Sequence, residues 1–167
     1  AQRDLSRHVA RPLRVLPEIL DRLGVDADGL LHEAGLTRAW FDDPENVLSF
    51  TSGGRLFRRC VEASGCAHLG TLVGQRVTLS ALGAVGVLMQ ASPTVAHALE
   101  VMGRHFHVHD RGALLTVEVD HRWARLGYRV IVPGVEAVEQ IYQLAAVAGG
   151  NFLRALCGPG WRPHSVE

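Results

Sequence analysis

Residues 112–132 read GALLTVEVDHRWARLGYRVIV, and the period of this stretch decides the fold class. Leu115, Val117 and Val119 alternate with Leu114, Thr116, Glu118 and Asp120, so a strand would turn the first set to one face and the second to the other. After a short polar connection from Asp120 to Ala124, a second run sets Leu126, Tyr128, Val130 and Val132 against Arg125, Gly127 and Arg129. Two alternating runs joined this closely form an antiparallel hairpin. Such a hairpin is marginal alone in water, so helices must cover its apolar face, and an intact protein has room for more strands beside it.

On the C-terminal side the period returns to that of a helix from Val135, through Val138, Ile141, Tyr142, Ala145, Ala148, Phe152 and Leu156, until Gly158-Pro159 ends it. This is the longest helix. It contains Ala145, Ala146, Gly149 and Gly150. Each glycine costs about 1 kcal/mol of helix stability relative to alanine, so close approach by another backbone or by a ligand is expected there. Glu136 and Glu139 read as solvated residues favoured by the helix dipole. His164-Ser165-Val166-Glu167 reads as the start of a further strand.

On the N-terminal side Ser92-Pro93 signals a helix start, followed by the stripe Val95, Leu99, Met102, Phe106. Before it, Leu13, Leu16, Ile19, Leu20 and Leu23 predict a first helix ended by Gly24. Asp26 caps a second helix with Leu30, Leu31 and Ala34, stopped by Gly35, and Thr37 caps a further turn before Asp43-Pro44. A fourth helix starts near Ser49 or Thr51, with Leu56, Phe57, Cys60 and Val61 inward and Arg55, Arg58, Arg59 and Glu62 toward solvent. A fifth follows Gly65 through Leu69, Leu72 and Val73, and a sixth follows Ser80 through Leu82, Val85, Leu88 and Met89. The fold class is therefore α+β: a helical N-terminal half, one antiparallel hairpin, and a long C-terminal helix packed across it. Residues 1–167 read as a single domain without repeats, low-complexity tracts or linkers.

Hydrophobic residues make up 47% of the chain and charged ones 20%, enough apolar material to form a core and exclude global disorder. The 17 basic residues, all arginine, balance 17 acidic ones, so no net positive field holds a polyanion by itself. Ala1 to Pro12 carry no apolar run and read as neither leader nor anchor. The longest apolar stretch, Ala81 to Met89, is interrupted by Gly83 and Gly86 and falls short of the roughly 20 residues of a membrane span. Cys60, Cys66 and Cys157 form no CxxC pair, which points to a reducing cytoplasm, with Cys60 and Cys157 as small hydrophobes on buried helix faces.

Chemistry is sparse. In Arg104-His105-Phe106-His107-Val108-His109-Asp110 three histidines alternate, but on a helix only His105 and His109 stack, and no HExxH pattern accompanies them. Those two border the apolar stripe, where they pack or point a donor into a cavity. No nucleophile elbow, Walker loop or dinucleotide fingerprint is present, so neither catalytic residues nor a cofactor is expected and the chain does not read as an enzyme. What remains is an aromatic set. His105, Phe106, Trp123 near the hairpin tip, Tyr128 on the inward strand face and Tyr142 on the long helix form the candidate ligand-binding residues, able to line an apolar site with a few polar groups.

Several segments together resemble one family: Leu20-x-x-Leu23-Gly24-Val25-Asp26, Leu30-Leu31-x-x-Ala34-Gly35-Leu36, His68-Leu69-Gly70-x3-Gly74, the run from Leu82-Gly83-x-x-Gly86 through Ser92-Pro93-Thr94 to Ala98-Leu99, the hairpin after Asp110-x-Gly112, and Leu156-Cys157-Gly158-Pro159-Gly160-Trp161-Arg162-Pro163. Their order is similar to that of the arabinose-binding-type N-terminal regulatory domain of AraC/XylS-family bacterial transcription regulators. The resemblance implies a cytoplasmic regulator whose N-terminal part senses a small-molecule effector or self-associates as a homodimer. It implies promoter DNA bound only through a C-terminal pair of helix-turn-helix motifs that this chain lacks. It transfers no ligand residue and no cofactor, since the haem-propionate signature of a related fold is missing around Tyr128 and Tyr142. The alternatives to effector sensing are a ligand-free self-association module and a metal or haem sensor using His105, His107 or His109.

Overall fold

The computed structural model describes residues 7–9, 11–120 and 122–166. The N-terminal reading of residues 1–12 falls largely outside them, as do His121 of the hairpin connection and Glu167. Strand β1 (Arg7–Val9) is followed by a 3-10 turn (Arg11–Leu13) and by helices α1 (Leu16–Arg22), α2 (Ala27–Glu33) and α3 (Arg38–Asp42). Then come β2 (Val47–Ser49), α4 (Phe50–Ser64), α5 (Leu69–Gly74), a 3-10 turn (Leu79–Leu82), α6 (Ala84–Gln90) and α7 (Val95–His109). The hairpin β3 (Ala113–Val119) and β4 (Ala124–Val130) and the long helix α8 (Val138–Cys157) complete the order.

The α+β class holds, and the hairpin forms as its period requires. Leu115 faces Tyr128 and Val117 faces Leu126 across the antiparallel ladder. A second, smaller sheet joins it, because β1 pairs antiparallel with β2. Two local caps act as read, Asp26 Oδ1 accepting the Gly29 N–H at 3.1 Å and Ser49 Oγ accepting the Ser52 N–H at 3.0 Å, whereas Thr37 stands at the start of α3 without a side-chain cap bond.

Several expectations are corrected. Thr94, not Ser92, caps α7 by accepting the His97 N–H, while the Ser92 hydroxyl donates to the Leu88 carbonyl at the end of α6. The sixth helix is broken at Gly83, whose φ of +58° is open to glycine and strained for other residues. The further strand expected from His164 does not form over residues 164–166, and Glu167 lies outside the described residues. Cys157 is exposed, whereas Cys66 is buried, as is Cys60, whose thiol is pushed up to about 12 by burial.

The core runs through the helical half, where Leu16, Leu20, Leu31, Leu56, Cys60, Leu69, Val73 and Met89 are fully buried. Helix α8 packs chiefly on α5 and only secondarily on β4. The close approach expected at Gly149 and Gly150 is made instead by the glycines of α5. A Cβ on Gly70 would lie 2.0 Å from the Gln140 carbonyl oxygen, and one on Gly74 2.8 Å from that of Leu144, whereas one on Gly149 would meet nothing within 4 Å.

Side chains lock this seam. Gln140, 2% exposed, accepts the Gly70 N–H at 2.8 Å and donates to the Ala67 carbonyl at 2.9 Å. Asn151 donates to the carbonyls of Gly74 at 3.1 Å and Val77 at 3.0 Å. The two amides thus satisfy orphan groups at both ends of α5. Arg58, read as a solvated residue, pairs with Glu136 on the approach to α8 and with Glu62, and Arg59 pairs with Glu33.

Candidate functional site

The hairpin side of the molecule is built from α7, β3, β4 and α8. On α7 the stripe predicted from sequence is buried at Leu99, Met102 and Phe106, where Ala98 joins it, while its first member Val95 is half-buried. His105 is half-buried, His107 is exposed and His109 is buried, its ring 5.6 Å from that of Phe106. Among the described residues no three His, Cys, Asp or Glu side chains converge as a metal would require.

Helix α7 ends at Asp110, whose N–H reaches the Phe106 carbonyl at 2.9 Å and whose backbone turns extended. Asp110 is 2% exposed. Its Oδ1 accepts the Gly112 N–H at 3.0 Å, and its Oδ2 accepts the Tyr128 hydroxyl at 2.9 Å. Burial, reinforced by the Asp110 charge, holds the Tyr128 hydroxyl protonated well above the usual tyrosine range. Asp110 thereby joins the end of α7, the turn into β3 and the middle of β4.

From Tyr128 a chain of rings continues. Tyr128 meets Phe106 edge-on with centroids 6.1 Å apart, and meets Tyr142 of α8 edge-on at 6.3 Å. These are favourable T-shaped aromatic geometries. Tyr142 is 38% exposed and forms the outer end of the chain. The structure therefore brings Phe106, Tyr128 and Tyr142 together, while His105, next to Phe106 in the chain, points about 100° away around α7.

Trp123 lies elsewhere. It sits at the hairpin tip, 53% exposed, with its ring 4.8 Å from that of His164. At about 3.3 Å per residue, the five positions separating it from Tyr128 along the strand put it about 16 Å away. The tip is fixed by Asp120, whose carboxylate accepts the Arg122 N–H at 2.7 Å and the Trp123 N–H at 2.9 Å. Those two bonds hold its carboxyl below the usual carboxylate range.

Two open grooves lie among the described residues, and neither includes any of these five residues. One, of about 460 Å³, lies between α7 and β3. The other, of about 320 Å³, lies between the α6–α7 turn and the end of α8 and is lined by Met89, Pro93, Val95, Ala155 and Leu156. No helix among the described residues is long and apolar enough to cross a membrane. Sequence reasoning missed Asp110, although Asp-x-Gly after a helix is itself a turn signal, and missed Gln140 and Asn151 altogether.

A helical half bearing a two-stranded hairpin, with glycine punctuation in a fixed order, defines a class, and comparison with known proteins bears it out. Residues 24–167 match the family described as the arabinose-binding domain at the N-terminus of AraC transcription regulators. The chain belongs to that family. It is also 32% identical over 109 residues to the HTH-type transcriptional regulator VirS of Mycobacterium tuberculosis, in both strain H37Rv and strain CDC 1551. That match covers 62% of this chain and 32% of each relative, so the chain corresponds to only part of those proteins.

Proposed function

We propose that this chain is the effector-sensing domain of a longer cytoplasmic AraC-type regulator, with promoter DNA bound by a C-terminal helix-turn-helix part and no reaction catalysed here. Family membership supports the regulatory role, and the relative VirS carries a helix-turn-helix designation in its name. The balanced charge of the chain fits a division of labour in which DNA is held elsewhere.

The single observation that carries the site is the ring chain Phe106–Tyr128–Tyr142, which ties α7, β4 and α8 to one another and ends in a partly exposed tyrosine. A small apolar or amphipathic effector entering beside Tyr142 would part these rings, with His105 offering a polar contact. It would bias the domain only by binding the parted state more tightly than the closed one. Trp123 against His164 would report the shift at the hairpin tip. A thermal-shift and calorimetric screen of metabolites tests this reading: a hit must lose its effect in Tyr142→Ala, and its response must be altered in Trp123→Ala. Hits indifferent to both changes would remove the ring chain from consideration.

One observation favours a second reading. The ring chain is closed on itself and the open hollows lie elsewhere, which suits a self-association module whose surface joins two subunits. A two-fold homodimer is the expected form, since symmetric regulators read paired half-sites. Sedimentation of the chain separates the two: a monomer at all concentrations disposes of the second.

A further inference from the structure

Glu100 and Arg104 stand one turn apart on α7, glutamate first, the spacing and order that favour an ion pair on a helix. Glu18 and Arg22 on α1 have the same arrangement and close at 2.6 Å. Glu100 and Arg104 do not: both are exposed, and among the described residues neither has an ion-pair partner within 4.0 Å. Both instead line the groove of about 460 Å³ between α7 and β3.

The rest of that groove is apolar. Leu99 from α7 and Leu115, Val117 and Val119 from the inward face of β3 form its floor and far wall, and Val119 is 56% exposed. Gly103, between the two charges, lets Val117 of β3 pack close to the helix as the floor of the groove: an added Cβ would stand in contact, 3.4 Å from Val117 Cγ2. The volume falls within the range of about 300–1,000 Å³ typical of small-ligand sites.

We infer that this groove binds a zwitterion with a large apolar tail, an amino acid with a bulky aliphatic or aromatic side chain. Arg104 offers a planar fork to the carboxylate, Glu100 accepts from the ammonium, and the tail covers Leu115, Val117 and Val119. Two opposite charges held apart on one rim select a ligand carrying both signs over one carrying either alone. The site is distinct from the ring chain ending at Tyr142, and its binding is independent of whether the chain senses an effector there.

The test is calorimetric titration of the chain with L-leucine, L-phenylalanine and L-tryptophan, set against 3-phenylpropanoate and 2-phenylethylamine, which each lack one charge. At least one amino acid binds, and the phenyl analogues bind at least about tenfold more weakly than L-phenylalanine, the scale of one lost charge-assisted bond. Glu100→Gln and Arg104→Gln, both surface changes that keep the thermal midpoint, each lower amino-acid affinity by a similar factor. Gly103→Leu abolishes binding, and Tyr142→Ala leaves it intact. The inference is overturned if none of the amino acids binds at millimolar concentration, if either analogue matches L-phenylalanine, if both charge variants bind as the parent does, or if Tyr142→Ala removes binding.

Discussion

The α5–α8 seam and the hairpin side pack by opposite rules. Along the seam two backbones touch through Gly70 and Gly74, and Gln140 and Asn151 clasp the ends of α5. Along the hairpin side rings meet edge to edge at 6.1 and 6.3 Å, and the layer frays outward to the partly exposed Tyr142. Backbone contact tolerates no change of volume, whereas edge-on rings can slide and turn. The seam is therefore the frame, and the hairpin side is the more yielding layer.

The sharpest way to break this contrast is Gly70→Ala, whose methyl would sit 2.0 Å from a backbone oxygen. It should destabilise the chain by at least about 3 kcal/mol, measured by urea unfolding. Tyr142→Ala, at the edge of the more yielding side, should cost much less. Next in size, Gln140→Leu strips the buried Gly70 N–H of its acceptor and the Ala67 carbonyl of its donor, and should cost about 2–3 kcal/mol in the same assay.

A third substitution sharpens the contrast through pH. Tyr128→Phe leaves buried Asp110 without its hydroxyl donor and should cost about 1–2 kcal/mol near neutrality. In the parent the folded Tyr128 keeps its proton while an unfolded tyrosine ionises near pH 10. Its contribution is thus complete below about pH 10 and is lost as pH rises further. Unfolding curves from pH 8 to 11 should show the parent losing its advantage over Tyr128→Phe across that window, and a constant gap would contradict the buried geometry. The smallest effect is a gain: Ala137, at φ +45° where the chain enters α8, should favour glycine by about 1 kcal/mol, seen as a raised thermal midpoint.

Much of the fold was legible because its signals are local. The period of two in residues 113–130, the stops at Gly24, Gly35 and Gly158, and the caps at Asp26 and Ser49 each depend on residues within a few positions of one another. The β1–β2 ladder was not legible, since its three-residue strands show no period and find each other across three helices. Ser92-Pro93 misled by two residues because Thr94 offers an equivalent hydroxyl one step beyond the proline.

In the site the ring-bearing positions could be named from strand and helix faces, but their grouping could not. Trp123 shares a hairpin with Tyr128 and stands a strand length away. Gln140 and Asn151 looked like ordinary polar positions on a helix. Their partners lie 70 or more residues earlier, and only the packed structure shows them.

Asp110 makes one consequence of this architecture concrete. Because a single carboxylate grips both the first amide after the bend and a hydroxyl halfway along the returning strand, helix and ribbon are fastened as by a hinge pin with two lugs. Pulling the ribbon must swing the helix with it, so a disturbance felt at either one is delivered to both.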